Sequence, residues 1–220
     1  MKKSILVSVL VFSAALVLVG CKSNPNEPEG GSSENGHKYV DLGLSVKWAT
    51  MNVGATTPEG YGDYFAWGET LTKVGYNWYN YFDTNDEGNT FTKYNNEGGK
   101  TVLDLEDDAA HVNWGGSWRM PTKAEWRELI DNCTWAWTKQ NGINGYKVTS
   151  KKEGYTDKYI FLPAAGYRDG VLVNVGSCGG FWSSSLYENS SDLAWDLYFS
   201  WDFLLYHERF NGQSVRPVLP

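Results

Sequence analysis

Three histidines, the two cysteines that follow Cys21 and a few acidic runs are the groups in this chain with chemistry to offer. His37, His111 and His207 stand far apart, and none has a cysteine, histidine or glutamate at ligand spacing, so the sequence carries no zinc motif. His111 lies between Ala110 and Val112, the setting of a satisfied core or capping histidine. DTNDEGNTFTKY, from Asp83 to Tyr94, begins like a calcium loop, with oxygen side chains at its first, third and fifth positions and Gly88 at the sixth. The twelfth position needs a bidentate glutamate and holds Tyr94, so a solvated turn is the expectation. Ser183–Ser185 lacks the G-x-S-x-G setting of an activated serine. Glu106–Asp108 are adjacent on a predicted helix and point in different directions, so they suit its first turn better than paired acid chemistry. There is no P-loop and no dinucleotide fingerprint. The expectation is no catalytic residue, no metal and no cofactor.

The elements that would hold any site begin after a leader. MKKSILVSVLVFSAALVLVGC has a charged start at Lys2 and Lys3, an apolar run from Ile5 to Val19, and Leu18-Val19-Gly20-Cys21, which resembles a bacterial lipobox. Residues 1–20 are read as a lipoprotein signal peptide and Cys21 as the lipidated residue; an ordinary signal peptide with a chance cysteine is the alternative. KSNPNEPEGGSSENG follows without an apolar residue, so residues 21–36 read as a flexible tether and 37–220 as one folded domain. The formal charge of -7 argues against nucleic acid as a partner. Cys133 falls on the apolar stripe of a predicted helix and Cys178 in the loop GSCGG; a bridge between them and two separate thiols both remain open.

Within the domain, HKYVDLG, VKWATMNVG and DYFAWGE set aromatic and β-branched residues between glycines, as short strands do. The polar, aromatic Tyr76–Tyr94 stretch reads as a long surface excursion. Two helices are expected. DLEDDAAHVNWG opens on acidic residues, and Thr122-Lys123-Ala124-Glu125 is a capping box ahead of a buried stripe of Trp126, Leu129, Ile130 and Cys133. Arg119 reads as a structural cation. GYKVTS, KYIFLPAAGYR, FWSSS, LAWDLYF, FLLYHERF and SVRPV then return to strands. The expected class is α+β, with helices packed on a mostly antiparallel sheet.

YVDLGLSVKWATMNVGA, YGDYFAWGET, DDAAHVNWGGSWRMPTKAEW, FLPAAGYR, FWSSS and SVRPV, in that order, resemble a family of Bacteroidetes and Fibrobacter lipoproteins that carry the Fibrobacter succinogenes major paralogous domain. The resemblance spans about Tyr39 to Val218 and implies a C-type lectin-like, formylglycine-generating-enzyme-like domain whose first and last strands lie together. Some members look like variable proteins of diversity-generating retroelements, diversified near the C-terminus to change a ligand surface. The enzyme branch of that fold needs a cysteine near its C-terminal end; here Pro217 stands there, which argues against its oxidase chemistry.

In LAWDLYFS, alternation puts Trp195, Leu197 and Phe199 on one face, read as core, and Asp196, Tyr198 and Ser200 on the other. In FLLYHERF, Phe203, Leu205 and His207 fall with the second set, and Phe210 and Asn211 lie just beyond. With Phe181 and the loop residues Asp169, Leu172 and Cys178, these form the expected ligand-binding surface, unless the Tyr76–Tyr94 excursion covers it. The expected function is a lipid-anchored envelope protein, at the outer membrane and not an enzyme, that binds a periplasmic or extracellular protein or glycan. A divergent formylglycine-generating or carbohydrate-active enzyme, and a structural subunit of a surface assembly, are the alternatives.

Overall fold

The computed structural model describes residues 32–83, 90–199 and 203–220. The leader, Cys21, most of the tether, the middle of the calcium-like loop and Ser200 lie outside the described residues.

The chain enters its fold through a hairpin inside the stretch read as tether. β1 (Ser32–Glu34) pairs antiparallel with β2 (His37–Val40), joined by Asn35 and Gly36. Both turn residues have positive φ, 49° and 80°, as a tight hairpin requires. β3 (Lys47–Ala49) follows, and the long excursion comes before α1 (Ala109–Trp114). Asp108 caps α1 by accepting from the Ala110 and His111 amides, and Gly115 and Gly116, both at positive φ, stop the helix.

α2 (Lys123–Asn132) forms where the capping box predicts it. The Thr122 hydroxyl accepts from the Glu125 amide, and the Glu125 carboxylate accepts from the Thr122 amide. Arg119 makes a two-pronged pair with Glu125, at 2.8 and 2.5 Å. Burial raises the Glu125 carboxyl, but the hydrogen bonds from Arg119 and Thr122 and the Arg119 charge together outweigh it and hold the group below the usual glutamate value.

Every later element is a strand: β4 (Cys133–Gln140), β5 (Ile143–Ser150), β6 (Tyr159–Pro163), β7 (Tyr167–Asp169), β8 (Val171–Val173), β9 (Gly180–Leu186), β10 (Leu193–Tyr198), β11 (Leu204–Glu208) and β12 (Val218–Leu219). They form four antiparallel sheets, in the orders β1-β2-β3-β12, β11-β10-β9, β4-β5-β6 and β7-β8. The last strand closes on the first sheet, Val218 opposite Trp48.

The α+β, C-type lectin-like expectation is therefore corrected: the described chain is a β-rich fold of twelve strands with two helices. The helices have only six and ten residues beside twelve strands, so the strands set the class. Gly115 and Gly116 truncate the first, and the second ends where Cys133 turns into extended backbone and opens β4.

The β9–β10–β11 sheet lies between two cores. One of its faces gives Phe181, Leu197 and Leu204 to a cluster with Trp48, Trp126, Leu129 and Val148. The other gives Trp182 and Ala194 to a cluster built on Trp67, Trp118, Met120 and Val215. Burial of an apolar side chain of this size is worth about 1.5–3 kcal/mol. β9 is buried along nearly its whole length, because consecutive residues must fill opposite cores. That is why aromatics crowd both faces near the C-terminus.

Candidate functional site

Cross-strand partners share a face, so the register of β10 and β11 tests the expected alternation. Asp196 stands opposite Leu205 and Ala194 opposite His207, while Trp195 pairs with Tyr206 and Leu197 with Leu204. The assignment of faces is right for these residues. Their exposure differs from expectation.

Four of the expected binding residues are interior. Asp196 and Phe181 are fully buried, and Cys178 and Asn211 are buried as well. Phe181 faces the Trp126 core because β9 has cover on both sides. Asp196 lies mid-sheet opposite Trp182, beneath the second core. Phe203 departs from the alternation. Its φ is 58°, and its ring packs 4.7 Å from Trp135 and 5.3 Å from Tyr146, on the core side. A left-handed residue reverses the side to which the chain points, which alternation cannot foresee. Phe210 is half-buried, with its ring 4.8 Å from Trp78 of the Tyr76–Tyr94 excursion. The excursion thus covers that end of the face through Trp78, and Tyr76, Tyr81 and Tyr94 are buried within it.

Tyr198, His207 and Leu205 remain partly open at the other end, and Asp169 and Leu172 are exposed. Tyr198 and His207 rings lie 4.9 Å apart, and Tyr167 from β7 sits 5.9 Å from each. Beneath them the His207 Nδ1 is 3.0 Å from Asp196 Oδ2. The second oxygen, Asp196 Oδ1, is buried without a hydrogen-bond partner. The Cys178 sulfur lies 3.9 Å from the Gly179 carbonyl and 3.8 Å from the Phe199 carbonyl.

Burial disfavours the His207 imidazolium, but the hydrogen bond and charge of Asp196 outweigh it and raise its pKa above the ordinary value. A raised folded-state pKa gives stability that is present below the unfolded value, about 6.5, and lost as pH rises through the folded value. In Asp196→Asn the two largest raising influences, the carboxylate's hydrogen bond and charge, are gone while burial remains, so His207 is expected to titrate below wild type in an imidazole-proton NMR titration. An unchanged midpoint would mean the pair does not set the histidine's charge.

The Cys178 thiol is also pushed up, first by burial, and so stays protonated at neutral pH. Burial likewise raises Cys133, to about 11. Both are free thiols. The cluster therefore offers hydroxyl, imidazole and aromatic surface to a ligand rather than a thiolate.

β7 and β8 frame this cluster, with Tyr167 opposite Val173 and Asp169 opposite Val171. Gly166, at φ 68°, lets the chain enter β7: a Cβ there would meet the Val173 carbonyl at 2.2 Å. β7 bridges to Gly212 on its other side through Arg168, so β8 is the outer of the two strands. It exposes Val171 at 67% and Leu172 at 40%, and Val175 just beyond is 43% exposed. Tyr167, Asn174, Val171 and Val175 were not anticipated; the run VLVNV beside the glycine loop is the signal that marks the last three.

Of the other groups weighed in the sequence, Asp83 is not on a solvated turn but buried against Arg209. Asp104, Glu106 and Asp107 converge on the Lys93 ammonium, at 3.3, 2.6 and 2.6 Å, so a cation of the chain's own already occupies them. No helix among the described residues is long and apolar enough to cross a membrane. No protein-family model, curated protein or solved structure matches the chain, so its likeness to the Fibrobacter paralogous lipoproteins rests on the motifs quoted above.

Proposed function

We propose that this chain is a lipid-anchored cell-envelope protein, held through Cys21, whose β-rich domain binds a polypeptide in the periplasm or outside the cell. The observation that carries the reading is the outer strand β8, with Val171 and Leu172 exposed, beside the half-open Tyr167, Tyr198 and His207 cluster. An outer strand has main-chain groups free to pair with an added strand, and its side chains supply selectivity. Tyrosine gives contact area with little rotamer freedom to lose. Exposed aliphatic residues favour a polypeptide over a glycan at this face. Binding, not turnover, is the activity proposed. An adjacent reverse transcriptase with a near-copy of the 3′ end of the gene would mark a diversified form of the same function.

The test uses the full chain in detergent micelles, screened against a displayed library of random dodecapeptides, with selected peptides measured by fluorescence anisotropy. Leu172→Asp is expected to weaken the selected peptides at least tenfold, about 1.4 kcal/mol. Its urea stability should stay within about 0.5 kcal/mol, as for an exposed position. Failure to enrich any peptide, or equal binding by Leu172→Asp, would remove β8 as the docking edge.

A further inference from the structure

At the opposite end of β10 from Tyr198, a groove of about 750 Å³ opens between the Tyr76–Tyr94 excursion and the turn from β9 into β10. Its volume is in the range of small-molecule sites. We propose that it binds an uncharged oligosaccharide.

Two aromatic rings form its apolar side. Trp78 is held at 5.6 Å from Phe91 and 4.8 Å from Phe210, both edge-on, so the indole is fixed from two directions. The buried Arg209 guanidinium backs the Phe91 ring at 4.5 Å. Fixed aromatic faces suit the C–H face of a pyranose, which needs a flat, preorganised platform.

The rest of the wall carries hydroxyls, a carboxamide and two carboxylates. Ser190 donates its hydroxyl to Asp192 Oδ1, which orients that carboxylate. The Ser191 hydroxyl accepts from the Asn96 amide, which leaves its own proton to donate. The Asn95 side-chain oxygen accepts from the Glu97 and Gly99 amides, so the carboxamide braces this wall of the groove. Glu97 lies exposed at the rim. Carboxylates accept from paired sugar hydroxyls, as an aromatic ring beside them packs the ring face.

Charge narrows the class. Among the described residues no lysine, arginine or histidine lines the groove, while Asp192 and Glu97 do. An acidic sugar or a phosphate would meet two like charges without a counter-ion. A polypeptide would find a mostly polar wall with few apolar anchors. The site is independent of the β8 edge, so either reading can fail alone.

The full chain in detergent is titrated by tryptophan fluorescence with neutral hexasaccharides (cello-, laminari-, xylo-, manno- and chitohexaose), with hexagalacturonate, and with spermine. At least one neutral hexasaccharide is expected to bind, with affinity lowered at least tenfold by Trp78→Ala and by Asp192→Asn. Glu97→Gln, at an exposed position, should weaken the same ligand with folding intact. Leu172→Asp should leave it unchanged. Binding of hexagalacturonate or spermine alone, no binding of any neutral hexasaccharide, or affinity indifferent to Trp78→Ala and Glu97→Gln would overturn the proposal.

Discussion

Arg209→Met is expected to lower the unfolding free energy by about 3–5 kcal/mol, because it strands a buried carboxylate. Arg209 and Asp83 are both buried and meet at 2.7 Å. The guanidinium also donates to the Tyr81 hydroxyl at 2.9 Å and to the carbonyls of Tyr94 and Ser191 at 3.0 and 2.9 Å. Asp83 in turn accepts from the amides of Thr92, Lys93 and Tyr94. One side chain just after β11 therefore ties the middle of the excursion, its Tyr94 end and the turn before β10 together. The pair itself is costly to desolvate, so Arg209→Met with Asp83→Leu should recover part of the loss.

The pH dependence supplies a second check. Burial raises the Asp83 carboxyl, but the hydrogen bonds from Thr92, Arg209 and the Lys93 amide and the Arg209 charge together outweigh it and hold the group below the ordinary aspartate value. A depressed folded-state pKa contributes stability that is present above the unfolded value, about 3.9, and lost as pH falls through the folded value. Without Arg209 one of the two largest lowering hydrogen bonds is gone, and Asp83 protonates at higher pH. The stability gap between wild type and Arg209→Met, measured by urea unfolding, should narrow from pH 7 to pH 4. A constant gap would mean that lost packing, not the stranded charge, sets the cost.

Arg216→Met should be nearly as damaging for a different reason. Arg216 is fully buried and faces only neutral acceptors: Asn52 Oδ1 at 2.9 Å, the Ala49 carbonyl at 3.0 Å and the Phe161 carbonyl at 2.9 Å. It fastens the end of β3 to β6, two strands of different sheets. Burial without a carboxylate lowers its pKa to about 9, so it remains a cation at neutral pH. Removing it leaves three buried acceptors unpaired, at about 1–3 kcal/mol each. Arg216→Lys should fail almost as badly, since an ammonium cannot reach three acceptors spread in a plane. This loss should be flat between pH 4 and pH 7, because the guanidinium stays charged throughout and no acid answers it. A lysine variant as stable as wild type would show that the planar fork is not what joins the sheets.

Local chemistry was legible where neighbours in sequence determine it. The Thr122–Glu125 box, the Trp126 and Leu129 stripe and the alternation along β10 and β11 all read directly from spacing. The Asn35–Gly36 turn was legible too, yet the polar composition around it reads as tether. Other features depend on residues far apart. Arg209 looks like one more charge in HERF until Asp83 and Ser191 arrive beside it. Phe203 follows alternation on paper and leaves it because its backbone turns left-handed.

By itself, then, the sequence determined most of the strands, though not the one expected in DYFAWGE, together with the capped helix. It also determined the side of the sheet on which each residue of β10 and β11 stands, since a period of two is a property of the extended chain. Which of those sides meets water was decided only in three dimensions. Trp182 and the Trp67 core lie over Asp196, the excursion lies over Phe210, and the face stays open only beside Tyr167 and β8. Alternation names a face; burial depends on what distant segments bring to cover it.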